Sequence, residues 1–96
     1  MLIQQKAVYP NPFTNAANLY FMLRVDANVR VEVFNVAGEI IFRKDYGCLA
    51  GPNDIQWLGV NDYGARTATG IYIVTVKASG VDGSQGGYWV NLACTR

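Results

Sequence analysis

The chain has no histidine, only two cysteines and three prolines in 96 residues, and no excess of either charge, with eight basic residues against seven acidic for a formal net charge of +1. Each shortage removes a class of function. Without histidine there is no Ser-His-Asp or Cys-His nucleophilic system and no histidine-containing zinc site. Two cysteines are too few for a thiolate zinc site. Charges that are balanced and scattered give no electrostatic footprint for nucleic acid or for an anionic membrane surface. No apolar run approaches the ~20 residues needed to span a bilayer, so membrane insertion is not expected. The opening MLIQQKAVYP lacks the apolar core and cleavage pattern of a signal peptide. No segment repeats apolar residues at helical spacing over two turns.

Cofactor and metal chemistry are equally thin. Neither GxxxxGK nor GxGxxG occurs, so the glycines from Gly80 to Gly87 read as a hairpin loop and no cofactor is expected. Asp26, Glu32, Glu39, Asp45 and Asp82 fall on exposed strand faces or turns, where a carboxylate is ordinarily a solvated charge. Asp54 and Asp62 share one region. With Asn53 and Asn61 they could offer oxygens to calcium, or act as a glycosidase pair, but no ligand spacing supports either use and turn residues are the ordinary reading. Cys48 falls in an expected loop and Cys94 near the end of the last strand, which leaves a disulfide open; a buried thiol is the alternative for Cys94.

What the chain does have is apolar content, 51% of its residues, enough for one domain with its own core. The apolar residues alternate. Leu2 to Tyr9 reads as a strand stopped by Pro10-Asn11-Pro12, with Phe13 folding back as an apolar plug. Leu19, Phe21 and Leu23 share one face of the next strand. After a turn at Asp26-Ala27-Asn28, its expected partner carries Val29, Val31 and Val33 alternating with Arg30 and Glu32. Gly38, free to take a positive φ, turns the chain into a second arm from Glu39 to Asp45. There the consecutive apolars Ile40, Ile41 and Phe42 require an exposed side chain or a bulge. Tyr46 to Asn53 reads as a loop, and Asp54 to Leu58 re-enters the sheet. Gly70 opens a strand with Tyr72, Val74 and Val76 on one face and Ile71, Ile73 and Thr75 on the other, as expected inside a sheet. Val81 to Gly87 reads as a loop. Tyr88 to Ala93 is the last strand, with Tyr88, Val90 and Leu92 opposite Trp89 and Asn91. Seven short strands in this length predict an all-β, immunoglobulin-like antiparallel sandwich.

Four stretches together carry a resemblance: Val8-Tyr9-Pro10-Asn11-Pro12-Phe13; Val31-Glu32-Val33-Phe34-Asn35-Val36-Ala37-Gly38; Trp57-Leu58-Gly59-Val60-Asn61-Asp62-Tyr63-Gly64; and Gly70-Ile71-Tyr72. In this order they resemble the C-terminal sorting domain of type IX secretion substrates, related to the immunoglobulin-like domain of flagellar hook-capping proteins. The resemblance implies a non-catalytic module at the C-terminus of a larger bacterial protein. That protein would pass through the periplasm and across the outer membrane to the cell surface or exterior. Its partners would be the secretion machinery or the covalently linked upstream domain. Within this frame Trp57 fills the core, Gly59 and Gly64 permit tight backbone geometry, and Tyr72 anchors its connection as a tyrosine corner does.

A sorting role needs a readable surface rather than a catalytic group, and the terminal strand, Tyr88, Trp89, Val90, Asn91 and Leu92, is the expected docking element through edge pairing. Trp89 either is covered by the fold or faces solvent and stacks on a sugar or a partner. The second course points to the alternative function, a structural, adhesive or carbohydrate-binding accessory domain of an extracellular hydrolase. An enzyme in its own right would need a catalytic pair that the residues do not supply.

Overall fold

A computed structural model describes all residues from Met1 to Arg96 and contains seven strands. These are β1 (Ile3–Tyr9), β2 (Ala17–Leu23), β3 (Ala27–Phe34), β4 (Ile40–Cys48), β5 (Gly51–Trp57), β6 (Gly70–Gly80) and β7 (Gln85–Cys94). They form two antiparallel sheets, one of order β1-β2-β5 and one of order β4-β3-β6-β7. The sheets pack as an immunoglobulin-like sandwich. Period-two alternation explains the core: Leu19, Phe21 and Leu23 of β2 face Val29, Val31 and Val33 of β3 and Tyr72, Val74 and Val76 of β6, all buried. Each such side chain removed from water contributes about 1.5–3 kcal/mol.

Two expectations about connections are overturned. β2 and β3 are not a hairpin, because β2 pairs with β1 and β5 while β3 pairs with β4 and β6. The chain instead crosses between sheets at Arg24 to Asp26. That corner is held by side chain and backbone together: the Asp26 carboxylate accepts the Ala50 N–H at 2.8 Å and its carbonyl accepts the Val81 N–H at 2.9 Å. An apolar face can be covered from the opposite sheet as well as continued by a neighbour, and alternation alone does not distinguish the two. Second, Tyr46 to Asn53 is not a loop; β4 continues to Cys48, β5 begins at Gly51, and only Leu49 and Ala50 connect them. Pro52 is tolerated because β5 is the edge of its sheet.

Smaller adjustments follow the same logic. A register shift between Val33 and Phe34, opposite Ile40 to Phe42, absorbs the consecutive apolars and leaves Ile40 exposed. The turn after β6 shrinks to Val81–Ser84, since Gln85, Gly86 and Gly87 already pair with Ser79, Ala78 and Lys77. Glu32 is not a solvated charge but is 6% exposed. It lies on the outer face of the four-stranded sheet, in one cross-strand row with Arg43, Thr75 and Trp89. Arg43 offset its burial through Nη2 at 3.1 Å, and Lys77 Nζ lies 3.6 Å away.

Candidate functional site

The Trp57 region is scaffolding. Trp57 is buried, its Nε1 donates to the Val60 carbonyl at 3.0 Å, and its ring lies 5.4 Å from Phe13 and 6.1 Å from both Phe42 and Tyr72. Tyr72 Oη donates to the Ala68 carbonyl at 2.7 Å, the geometry of a tyrosine corner. Gly59 has φ +66°, and a Cβ there would meet Phe13 at 2.9 Å and Arg96 at 2.6 Å. Gly38 and Gly64 also have positive φ, while Gly70 opens β6.

The two acidic residues of this region are held apart. Asp54 on β5 accepts the Tyr9 hydroxyl at 2.7 Å. Asp62 lies along the free edge of β4, where its N–H donates to the Ile41 carbonyl and its carboxylate accepts the Arg43 N–H at 3.0 Å. Asn61 caps its own turn through the Tyr63 and Ala65 amides, and Asn53 donates to the Leu49 carbonyl at 2.8 Å. The four residues therefore do not converge on a calcium ion or a glycosidic bond. The cysteines are free and buried. Cys48 aligns through Ala27 with Gly80 and Cys94 with Gly70, the opposite ends of β6, about 30 Å apart at ~3.3 Å per residue. A bridge is excluded.

The terminal strand is the edge of its sheet, and its outer side is half occupied. Asn11, between the two prolines, places its side-chain amide against β7: Nδ2 donates to the Asn91 carbonyl at 2.9 Å and Oδ1 accepts the Ala93 N–H at 3.0 Å. Phe13 continues with its backbone, donating to the Ala93 carbonyl at 2.9 Å and accepting the Thr95 N–H at 2.8 Å. These pairs have the spacing of one parallel ladder, the first made by a side chain and the second by a peptide. Arg96 then locks the end. Its guanidinium donates to the carbonyls of Thr14, Gly59 and Thr67, the last at 2.9 Å, and its main-chain N–H donates to Thr69 Oγ1.

Beyond Asn11 the edge is open. Asn91 and Ala93 turn their peptide groups away from β6, and the register runs unbroken from Gln85, so Gly87 and Trp89 do the same. Leu92 is fully buried, Tyr88 and Val90 are half-buried, and Trp89 is 65% exposed on the outer face, uncovered by the fold. A cleft of about 200 Å³ separates this edge from β1, lined by Lys6, Ala7, Val8, Tyr88, Trp89 and Val90. Lys6 Nζ lies 5.3 Å from the Tyr88 ring centroid. The Tyr88 hydroxyl is buried without a hydrogen-bond partner, and burial pushes its pKa up to about 12. The roles of Asn11 and Arg96 carry no local sequence signal, because their partners lie up to 82 residues away.

Residues 7–85 match the model of the secretion system C-terminal sorting domain. The chain belongs to this family. The sorting family is non-catalytic and directs proteins to the cell surface or exterior through type IX secretion. The match stops at Gln85, the first residue of β7.

Solved structures share the fold. The dimeric latent PorU of Porphyromonas gingivalis superposes with a TM-score of 0.78 at 19% identity, over 94% of this chain and 9% of that one. FlgD of Xanthomonas campestris, described in connection with hook capping in flagellar assembly, gives 0.69 at 17% identity, over 96% of this chain and 66% of that one. FlgD of P. aeruginosa gives 0.65 at 23% identity, over 97% and 77%. No curated protein matches the chain by sequence.

Proposed function

We propose that residues 1–96 form the C-terminal module of a larger bacterial protein and carry it through the periplasm and across the outer membrane by presenting β7 to the secretion machinery. The observation that carries this reading is the family match over residues 7–85 on a sandwich whose terminal strand keeps part of its edge unpaired. An unpaired edge is a template for another chain. The upstream domain, joined covalently, is cargo.

The test is a reporter protein carrying residues 1–96 at its C-terminus, expressed in a bacterium with a type IX system. The reporter should reach the surface or medium with the module and remain periplasmic without it; equal export of both would refute the reading. Deleting Val90 to Arg96 is a poorer test. It removes Leu92 and Cys94, both in the core, together with the Arg96 contacts.

A second reading rests on the exposure of Trp89, with Ile73 diagonal to it and Ile71 further along the same face of β6, both also exposed. An indole so placed can stack on a sugar ring. If the module is a carbohydrate-binding accessory domain, Trp89→Ala abolishes retention on a glycan array while leaving the melting curve in place; a parent domain that binds no glycan removes this reading.

A further inference from the structure

We propose that the outer edge of β7 between Gly87 and Asn91 receives an extended segment of the secretion partner as an added strand, with an apolar side chain entering the cleft between β1 and β7. This rests on the sorting reading and states how the strand is recognised. The vacant groups are the Gly87 carbonyl, both peptide groups of Trp89 and the Asn91 N–H, which point away from β6 and are left free by Asn11 and Phe13.

Three observations define the occupant. First, the ladder is already begun: the Asn11 amide and the Phe13 peptide occupy the neighbouring rungs, so a further strand continues an existing interface. The chain cannot extend that ladder itself, since Pro10 and Pro12 have no N–H and Tyr9 is paired with Asn18 of β2. Second, side chains alternate along an added strand, so one of them falls over the cleft walled by Ala7, Val8 and Val90, which suits an aliphatic group. Lys6 and Tyr88 line the same space, with the Lys6 ammonium 5.3 Å from the Tyr88 ring centroid, which favours a carboxylate or carbonyl of the incoming segment there. Third, the sequence match to the family ends where β7 begins, yet the fold match covers 94% of the chain. A strand read through its backbone can keep its place while its side chains differ.

Proline at an outward-facing N–H separates the edge from the fold, because it removes a donor without touching the β6 ladder. In the reporter fusion, Trp89→Pro should reduce export at least tenfold relative to Trp89→Thr, which loses the same indole but keeps the N–H. The two variants should melt within a few degrees of each other. If Trp89→Pro melts early, Asn91→Pro repeats the test at the other outward N–H. Export of a folded proline variant at the level of Trp89→Thr overturns strand addition while leaving the sorting reading intact. The sorting reading itself falls if the reporter carrying the unaltered module stays in the periplasm, or if the reporter without the module is exported too. Concentration-dependent self-association of the isolated domain, abolished by Trp89→Pro with export unchanged, would assign the edge to a second copy and also overturn the proposal.

Discussion

The Tyr88 hydroxyl is a buried polar atom with no counterpart inside the fold. A buried hydroxyl without a partner costs the fold its hydration, so removing the oxygen should be favourable: Tyr88→Phe is expected to raise stability by about 1 kcal/mol at pH 7. The same burial fixes an alkaline behaviour. The folded-state pKa, raised from 10.0 to about 12, means the unfolded chain releases this proton first. The unfolded state then binds fewer protons than the native one, so stability is full below pH 10 and declines as pH rises from 10 toward 12. Urea denaturation at pH 7 and pH 11 measures both effects. The parent should lose more stability over that interval than Tyr88→Phe; equal losses and no gain at pH 7 would mean that the hydroxyl finds a partner in solution.

At the level of elements, polar side chains in two loops take the place of missing strands: Asn11 on the β7 edge and Asp62 on the β4 edge. Asn11→Ala should therefore cost about 1 kcal/mol and act locally. Hydrogen exchange of the Ala93 amide should accelerate far more than that of amides in the β3–β6 ladder, and uniform acceleration would show that Asn11 supports the whole fold instead. Such caps explain what was legible in the sequence. The buried face of each strand was readable, because Val29, Val31 and Val33 or Tyr72, Val74 and Val76 alternate whatever lies beside them. Pairing partners were less so: β2 and β3 look like a hairpin by alternation and are separated by a corner tied through Asp26. Pro52 and Gly47 suggested a loop but sit in edge strands, where the missing donor and side chain cost little. The candidate strand was visible from its residues. Its vacancy was not, since the Asn11 contacts span 80 residues or more. Glu32 escaped for a related reason, its burial depending on Arg43 of β4 and on Thr75 and Lys77 of β6, two other stretches of chain.

Across the whole molecule, the N-terminal crossing, the loop after Trp57 and the C-terminus meet at one end of the sandwich, and Arg96 joins them. Its guanidinium reaches three carbonyls, that of Thr14 on the crossing and those of Gly59 and Thr67 on the loop, and its carbon Cζ lies 5.8 Å from the Phe13 ring centroid. This is a use of the planar fork that an ammonium group cannot copy, because the three carbonyls meet three different nitrogens, whereas the three donors of a lysine diverge from one. Hydrogen bonds from a charged donor are each worth about 1.5–3 kcal/mol when desolvated, but this residue is exposed, which brings the expected loss for Arg96→Ala to about 1–3 kcal/mol in total. At ~4–8 °C per kcal/mol for a domain of this size, the melting temperature should fall by at least 4 °C. Arg96→Lys should recover less than half of that fall. If alanine melts with the parent, the three segments hold together through Phe13 and Trp57 alone; if lysine restores the parent value, charge rather than the fork is what the site requires. Either result also bears on secretion, because β7 can present a fixed edge only while its end is held.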